Sequence, residues 1–230
     1  PEKLSTDLTS LGEGQDRLAI VVEMVIAEDG AVLSSTLFRA LVRNHAKLAY
    51  NSVAAWLAGE APTPEGVKAV SGLDAQLRLQ DQVAQRLKAR RHQQGALSLE
   101  TIEPRAVFEG EVLTDLRVEQ KNRAKELIED FMIAANQATA SYLNGKGMPS
   151  FRRILRSPER WQRIVEVAAR WGEHLPSEPD ASALESFLVT RRKADPLRFP
   201  DLSLAIVKLI GRGEYVLDQS KDGAPEHFGL

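Results

Sequence analysis

The chain contains no cysteine, so disulfide staples and thiolate metal sites are both excluded. It has no apolar run near the ~20 residues a membrane-spanning helix needs, and no secretory leader pattern. A cytoplasmic setting with no membrane partner is therefore the expectation. It also lacks charge of one sign. Its 30 Lys and Arg against 32 Asp and Glu leave a net charge of −2, so no global basicity announces a polyanionic partner. Local field, not the total, decides such steering. No G-x-S-x-G, P-loop or G-x-G-x-x-G occurs, which removes the usual signatures of nucleophilic hydrolases and nucleotide-cofactor enzymes. The histidines, His45, His92, His174 and His227, show no H-E-x-x-H spacing and read as surface or capping residues rather than zinc ligands. Internal repeats and low-complexity tracts are absent.

What is present suits a globular α+β chain. Its 230 residues, 43% hydrophobic and 27% charged, suffice for one sizeable domain over 1–230. The first residue is Pro1 rather than Met and the last four are the apolar His227-Phe228-Gly229-Leu230, so both ends read as cut from something longer. The stretch Asn122 to Asn144 organises the rest. Leu127, Phe131, Ala134, Ala138 and Tyr142 recur at helical steps, and Ile128, Met132 and Ala135 add a second apolar row. Two rows predict a buried helix. Glu126, Glu129 and Asp130 lie in its first turns, with Asn136 two turns beyond Glu129. Three acids in five residues can hold a divalent cation, but acids in a first turn also simply complement the helix dipole. A glutamate facing a cleft as a hydrogen-bond acceptor fits the spacing better than a metal ligand does.

In chain order, a polar connector over Pro1 to Asp16 precedes a hairpin. Arg17–Ile26 and Ala31–Phe38 form its strands and Asp29-Gly30 its turn. Apolar residues on both strand faces predict a covered sheet. Helices are expected over Leu41–Ala58 and, after the loop Ala61–Gly66, over Val67–Arg91. Ala96–Glu100, Ala106–Glu119, Ser150–Leu155 and Gly211–Leu217 read as strands. Ser157-Pro158-Glu159 predicts a helix start running to Trp171, and Asp180 or Ser182 caps the next helix, to Lys193, before a last one over Asp201–Ile210. The expected architecture is a mixed, mostly antiparallel sheet with five to six helices around a buried central helix.

Basic residues cluster four times: Arg39, Arg43, His45 and Lys47 before Tyr50; Arg86, Lys88, Arg90 and Arg91; Arg152, Arg153, Arg156, Arg160 and Arg163; and Arg191, Arg192 and Lys193. A cationic groove with an aromatic platform is how single-stranded nucleic acid is held without sequence preference. A solvated face balanced by acids is the default reading of the same residues.

Residues 126–136, ELIEDFMIAAN, resemble the central helix of the ribonuclease II (RNB) catalytic domain, of the form E-x-I-E-[ED]-x-M-[IL]-x-A-N. Other segments resemble the same family in order: Asp16-Arg17-Leu18-Ala19 before the hairpin; Ala46-Lys47-Leu48 through Val53, like A-[KR]-L-x-Y-x-x-V; Arg91 through Leu99, like R-x-x-x-G-A-L-x-[LF]; and the closing His227-Phe228-Gly229-Leu230. The resemblance implies a 3′→5′ exoribonuclease that hydrolyses single-stranded RNA to 5′-mononucleotides with Mg²⁺; a monomer is the separate expectation for its assembly. It implies that Tyr50 stacks on a base near the RNA 3′ end, that Glu129 contacts the terminal ribose, and that Lys47 and Arg91 lie among the RNA contacts. Leu99 falls where some members carry an aromatic clamp, and leucine cannot stack the same way. The family's catalytic aspartate cluster lies upstream of this segment and its arginine motif downstream, so this stretch supplies the RNA channel and 3′-end contacts and is expected to be inactive alone. No catalytic or metal-ligating residue is expected within it. The alternatives are a non-catalytic RNA-binding relative and an α+β interaction module.

Overall fold

The computed structural model describes residues 2–100, 104–118 and 122–218. The chain divides into two compact units: Pro1–Lys88 with Lys121–Gly145, and Ala89–Gln120 with Lys146–Leu230. The class is α+β, and the strands among the described residues pair into three separate two-stranded antiparallel sheets.

In the first unit, β1 (Asp16–Ile26) and β2 (Val32–Arg43) form the expected hairpin, after a short helical turn over Leu4–Leu8. The turn closes through Ala27 N–H to Ala31 O at 2.8 Å, and Asp29 Oδ1 accepts the Ala31 amide at 3.0 Å. Gly30 is required at its tip: φ is +82°, and a Cβ there would lie 2.5 Å from the carbonyl oxygen of Arg86. The predicted helix from Leu41 does not start there. β2 continues to Arg43 because Leu41, Val42 and Arg43 pair with Leu18, Arg17 and Asp16, and Arg43 closes the ladder on Asp16 with a two-pronged ion pair. The sheet is also not covered on both sides. Ala19, Val21, Ala40 and Val42 are half-buried, but Leu18, Ile20 and Leu41 on the opposite face are exposed.

α1 (Tyr50–Leu57) is the shorter helix that remains. The predicted second helix is split: α2 (Glu65–Lys68) and α3 (Leu73–Gln93) are separated at Gly72, whose φ of +75° cannot continue a helix. α4 (Arg123–Gly145) is the central helix. Asn122 caps it, its Oδ1 accepting the Lys125 amide at 3.0 Å. It lies against α1, β1 and β2 and buries one narrow stripe: Ala124, Leu127, Asp130, Ala134 and Ala138. Mostly small residues let the helix approach its neighbours closely. The second apolar row is not buried, since Ile128 and Met132 are exposed. Val53, Ala54, Trp56, Val67 and Ala124 form the unit's core, and the Arg78 guanidinium stacks 4.5 Å from the Trp56 ring centroid.

The second unit contains β3 (Pro104–Glu109) and β4 (Val112–Val118), joined at Gly110, and then β5 (Ser150–Ile154). α5 (Trp161–Arg170), α6 (Ala181–Ala194) and α7 (Phe199–Ile210) follow, and β6 (Glu214–Asp218) returns to pair with β5. The core runs through the three helices, with Ile164, Leu184, Leu188, Phe199 and Ile206 essentially inaccessible. Asp180 caps α6 by accepting the Ala183 amide at 2.9 Å. Ser157 does not cap α5; the chain first makes a turn from Pro158 O to Trp161 N, and Arg160 takes the cap position. Ala96–Glu100 forms no ladder either. Side chains take its amides instead: Ser98 N–H donates to Glu185 and Glu100 N–H to the Ser203 hydroxyl.

Candidate nucleic-acid interface

Lys47, Tyr50 and Glu129 fall within the first unit. Tyr50 is the first residue of α1 and is 48% exposed; Lys47, three residues earlier, is exposed. Glu129 is exposed on α4, as is Asn136. The two helices are held to each other by the Val53, Ala54, Trp56 and Ala124 contacts and by Asn122 Nδ2 donating to Asn51 Oδ1 at 3.0 Å. The bond falls one residue from Tyr50, so the stacking candidate is fixed to α4 through its neighbour.

The three acids of α4 do not share one strip. Glu126 pairs with Lys88 at 2.8 Å, Asp130 is buried in the packed stripe, and Glu129 alone is exposed. Among the described residues no group of three His, Cys, Asp or Glu side chains could hold a metal ion. The first turn of α4 is anchored by a bond the periodicity gave no sign of. Arg123 Nε donates to Asp81 Oδ1 at 2.7 Å and its Nη2 to Oδ2 at 2.5 Å, and Gln85 adds a third donor at 3.0 Å. The Asp81 carboxylate is 5% exposed and fully satisfied by this arrangement.

Arg91 and Leu99 belong to the second unit. Arg91 is half-buried in the last turn of α3, and its carbonyl accepts the Ala96 amide at 3.0 Å. Leu99 packs on the helical core beside Leu97. The segment carrying Leu99 is pinned by a polar cluster. Glu185, buried on α6, accepts from the Ser98 amide at 2.5 Å and the Ser98 hydroxyl at 2.6 Å, and lies 3.1 Å from His92 Nδ1. His92 Nδ1 is also 2.8 Å from the Ala96 carbonyl. His92 is thus neither a surface residue nor a simple cap. The Glu185 bond, aided by the Ala96 carbonyl, raises its pKa above the ordinary 6.5 against the effect of burial. Burial pushes Glu185 up, but the bonds from His92 and Ser98 outweigh it and hold the carboxyl below 4.5. No sequence signal links these residues, since Ser98 and Glu185 are 87 positions apart. The closing His227-Phe228-Gly229-Leu230 lies outside the described residues.

The family model described as "RNB domain" matches residues 1–230. "Exoribonuclease 2" of Cronobacter sakazakii is 32% identical over 238 aligned residues, covering 100% of this chain and 35% of that protein. "Ribonuclease R" of Vibrio parahaemolyticus is 35% identical over 159 residues, covering 69% of this chain and 19% of that protein. The chain therefore spans about a third or less of these curated relatives. The RNase R of Mycoplasma genitalium, solved in complex with ribose methylated single-stranded RNA, superimposes with a TM-score of 0.84 at 19% identity, over 100% of this chain and 35% of that one. The same protein solved with double-stranded RNA gives the same TM-score and covers 40% of that chain. No helix among the described residues is long and apolar enough to cross a membrane. With a family model matched from the first residue to the last, the chain belongs to the RNB domain family.

Proposed function

We propose that this chain is part of a 3′→5′ exoribonuclease that hydrolyses single-stranded RNA to 5′-mononucleotides, and that it supplies part of the RNA channel and the 3′-end contacts. The observation that carries the reading is the RNB match along the entire chain. The exposed Tyr50 and Glu129 on two packed helices support it. In this reading the Tyr50 ring stacks on a base near the 3′ end. Lys47 draws the adjacent phosphate, and Glu129 accepts a hydrogen bond from a ribose hydroxyl, the group that distinguishes RNA from DNA. Arg91 and Leu99 are further contacts carried by the second unit. The reading brings with it a monomer, a cytoplasmic setting and a Mg²⁺ requirement. Glu126, Glu129 and Asp130 do not fit a divalent-cation site, because one is ion-paired, one exposed and one buried in the packed stripe. None of the contacts proposed for this chain runs through a metal.

The test is binding of a 3′-labelled single-stranded ribo-oligonucleotide, with and without Tyr50→Ala, over a salt series. Loss of one stacked base costs about 1–3 kcal/mol, so Kd should rise about 5- to 150-fold. Binding that Tyr50→Ala leaves unchanged would remove Tyr50 from the channel.

A further inference from the structure

The basic group Arg152, Arg153, Arg156, Arg160 and Arg163 has no part in the contacts above, and the structure sorts its members. Arg152 Nε lies 2.7 Å from the buried Asp218, close but poorly aligned for a hydrogen bond. Arg156 pairs with Glu214. Arg160 has no carboxylate or hydrogen-bond partner for its side chain among the described residues. It lines an open pocket of about 580 Å³ together with Lys208, Arg212, Val207 and Gly211. Lys208 and Arg212 are exposed and likewise lack a partner among the described residues.

Three like charges around one hollow repel each other, and no acid among the described residues lines the hollow to offset them. Dipole compensation accounts for two of them, since Lys208 and Arg212 sit at the C-terminal end of α7, where cations are favoured. It does not account for Arg160, which occupies the N-cap of α5, the end where a helix disfavours positive charge. Gly211, also in the lining, meets nothing beyond its own chain neighbours within 4 Å of the position its Cβ would take. Three of the five residues lining the pocket carry cationic side chains; cations so grouped suit a phosphate rather than a base edge, and such contacts position a strand without reading its sequence.

We propose that Arg160, Lys208 and Arg212 form a phosphate-binding pocket for the backbone of the RNA strand, in addition to the contacts carried by the first unit. The inference rests on the exoribonuclease reading for the identity of the strand.

The test is a salt titration with a fluorescent single-stranded ribo-oligonucleotide in EDTA, using the 230-residue chain, Arg160→Gln, and the triple variant Arg160→Gln/Lys208→Gln/Arg212→Gln. For single strands log K falls with log salt by about 0.7 per phosphate contact. The slope should therefore become shallower by about 0.7 in the single variant and about 2 in the triple variant. Arg163→Gln, on α5 but outside the pocket lining, should keep the unmodified slope. Tyr50→Ala should weaken binding with little change of slope. A triple-variant slope equal to that of the unmodified chain overturns the pocket. If the unmodified chain binds no RNA, the proposal that this chain supplies the RNA channel fails independently, and calorimetric titration with inorganic pyrophosphate then decides the pocket. Heat from the unmodified chain that the triple variant abolishes retains a phosphate site, and no heat from either overturns it.

Discussion

Glu185→Gln tests how the segment carrying Leu99 is held. The carboxylate receives the Ser98 amide on Oε2 and the Ser98 hydroxyl and His92 on Oε1. Glutamine offers one accepting oxygen and, on the other side, an amino group that can only donate. One buried donor must then lose its acceptor, at about 1–3 kcal/mol, and the bonds that survive change from charge-assisted to neutral, at about 1 kcal/mol more. The expected penalty is about 3 kcal/mol. Its pH dependence follows from the direction of both shifts. His92 is raised above 6.5, so its contribution is complete below pH 6.5 and is lost as pH rises through its folded-state value. Glu185 is held below 4.5, so its contribution is complete above pH 4.5 and is lost as pH falls through its folded-state value. Both are complete only between 4.5 and 6.5. The assay is urea unfolding followed by tryptophan fluorescence in a Trp56→Phe background, which leaves Trp161 and Trp171 of the second unit as reporters. The penalty should be about 3 kcal/mol at pH 5.8 and smaller by about 1 kcal/mol at pH 9, where neutral His92 no longer contributes its charge. A penalty under about 1 kcal/mol, or one identical at both pH values, would refute the reasoning.

Two further outcomes concern the first unit, with Trp56 as the reporter in a Trp161→Phe/Trp171→Phe background. Arg123→Met strands the buried Asp81 carboxylate and should cost about 3 kcal/mol, whereas Asp81→Leu/Arg123→Met should recover most of that; a single-variant cost below about 1 kcal/mol by urea unfolding would contradict this. Gly30→Ala meets both a left-handed backbone and the Arg86 carbonyl and should cost about 3 kcal/mol. Gly59→Ala, at φ +79° with nothing within 4 Å, should cost only about 1–2 kcal/mol, and equal losses at the two positions would show that the Arg86 contact is irrelevant.

Features written in short range were legible. The Asp29-Gly30 turn, the long α4 and the Asp180 cap each depend on residues within a few positions of one another, and each stands where the sequence places it. The helix predicted across Gly72 shows how apolar periodicity can carry a reading through a residue whose backbone ends the helix. Ala96–Glu100 has the apolar content of a strand, but its hydrogen-bond partners are the side chains of Glu185 and Ser203, which no local pattern reveals. The same holds for Arg123 with Asp81, 42 residues apart. As candidates for the interface, Tyr50 and Glu129 rest on family resemblance alone, because one exposed tyrosine and one exposed glutamate carry no spacing signature. The structure adds the packing of α1 on α4 that holds their helices.

Neither compact unit is an uninterrupted stretch of polypeptide, because residues 89–120 of the second are inserted within the first. As the chain leaves the ribosome, the hairpin and α1 to α3 emerge well before α4, whose Ala124 and Leu127 complete their packing. The second unit waits longer still, since β5 cannot find β6 until all three intervening helices have been made. Long-range closures of this kind slow folding. They also mean that no single cut separates the two units: a stop codon or a protease site between α3 and α4 would leave each unit without part of itself. Isolating either one calls for a circularly permuted or spliced gene rather than a truncated one.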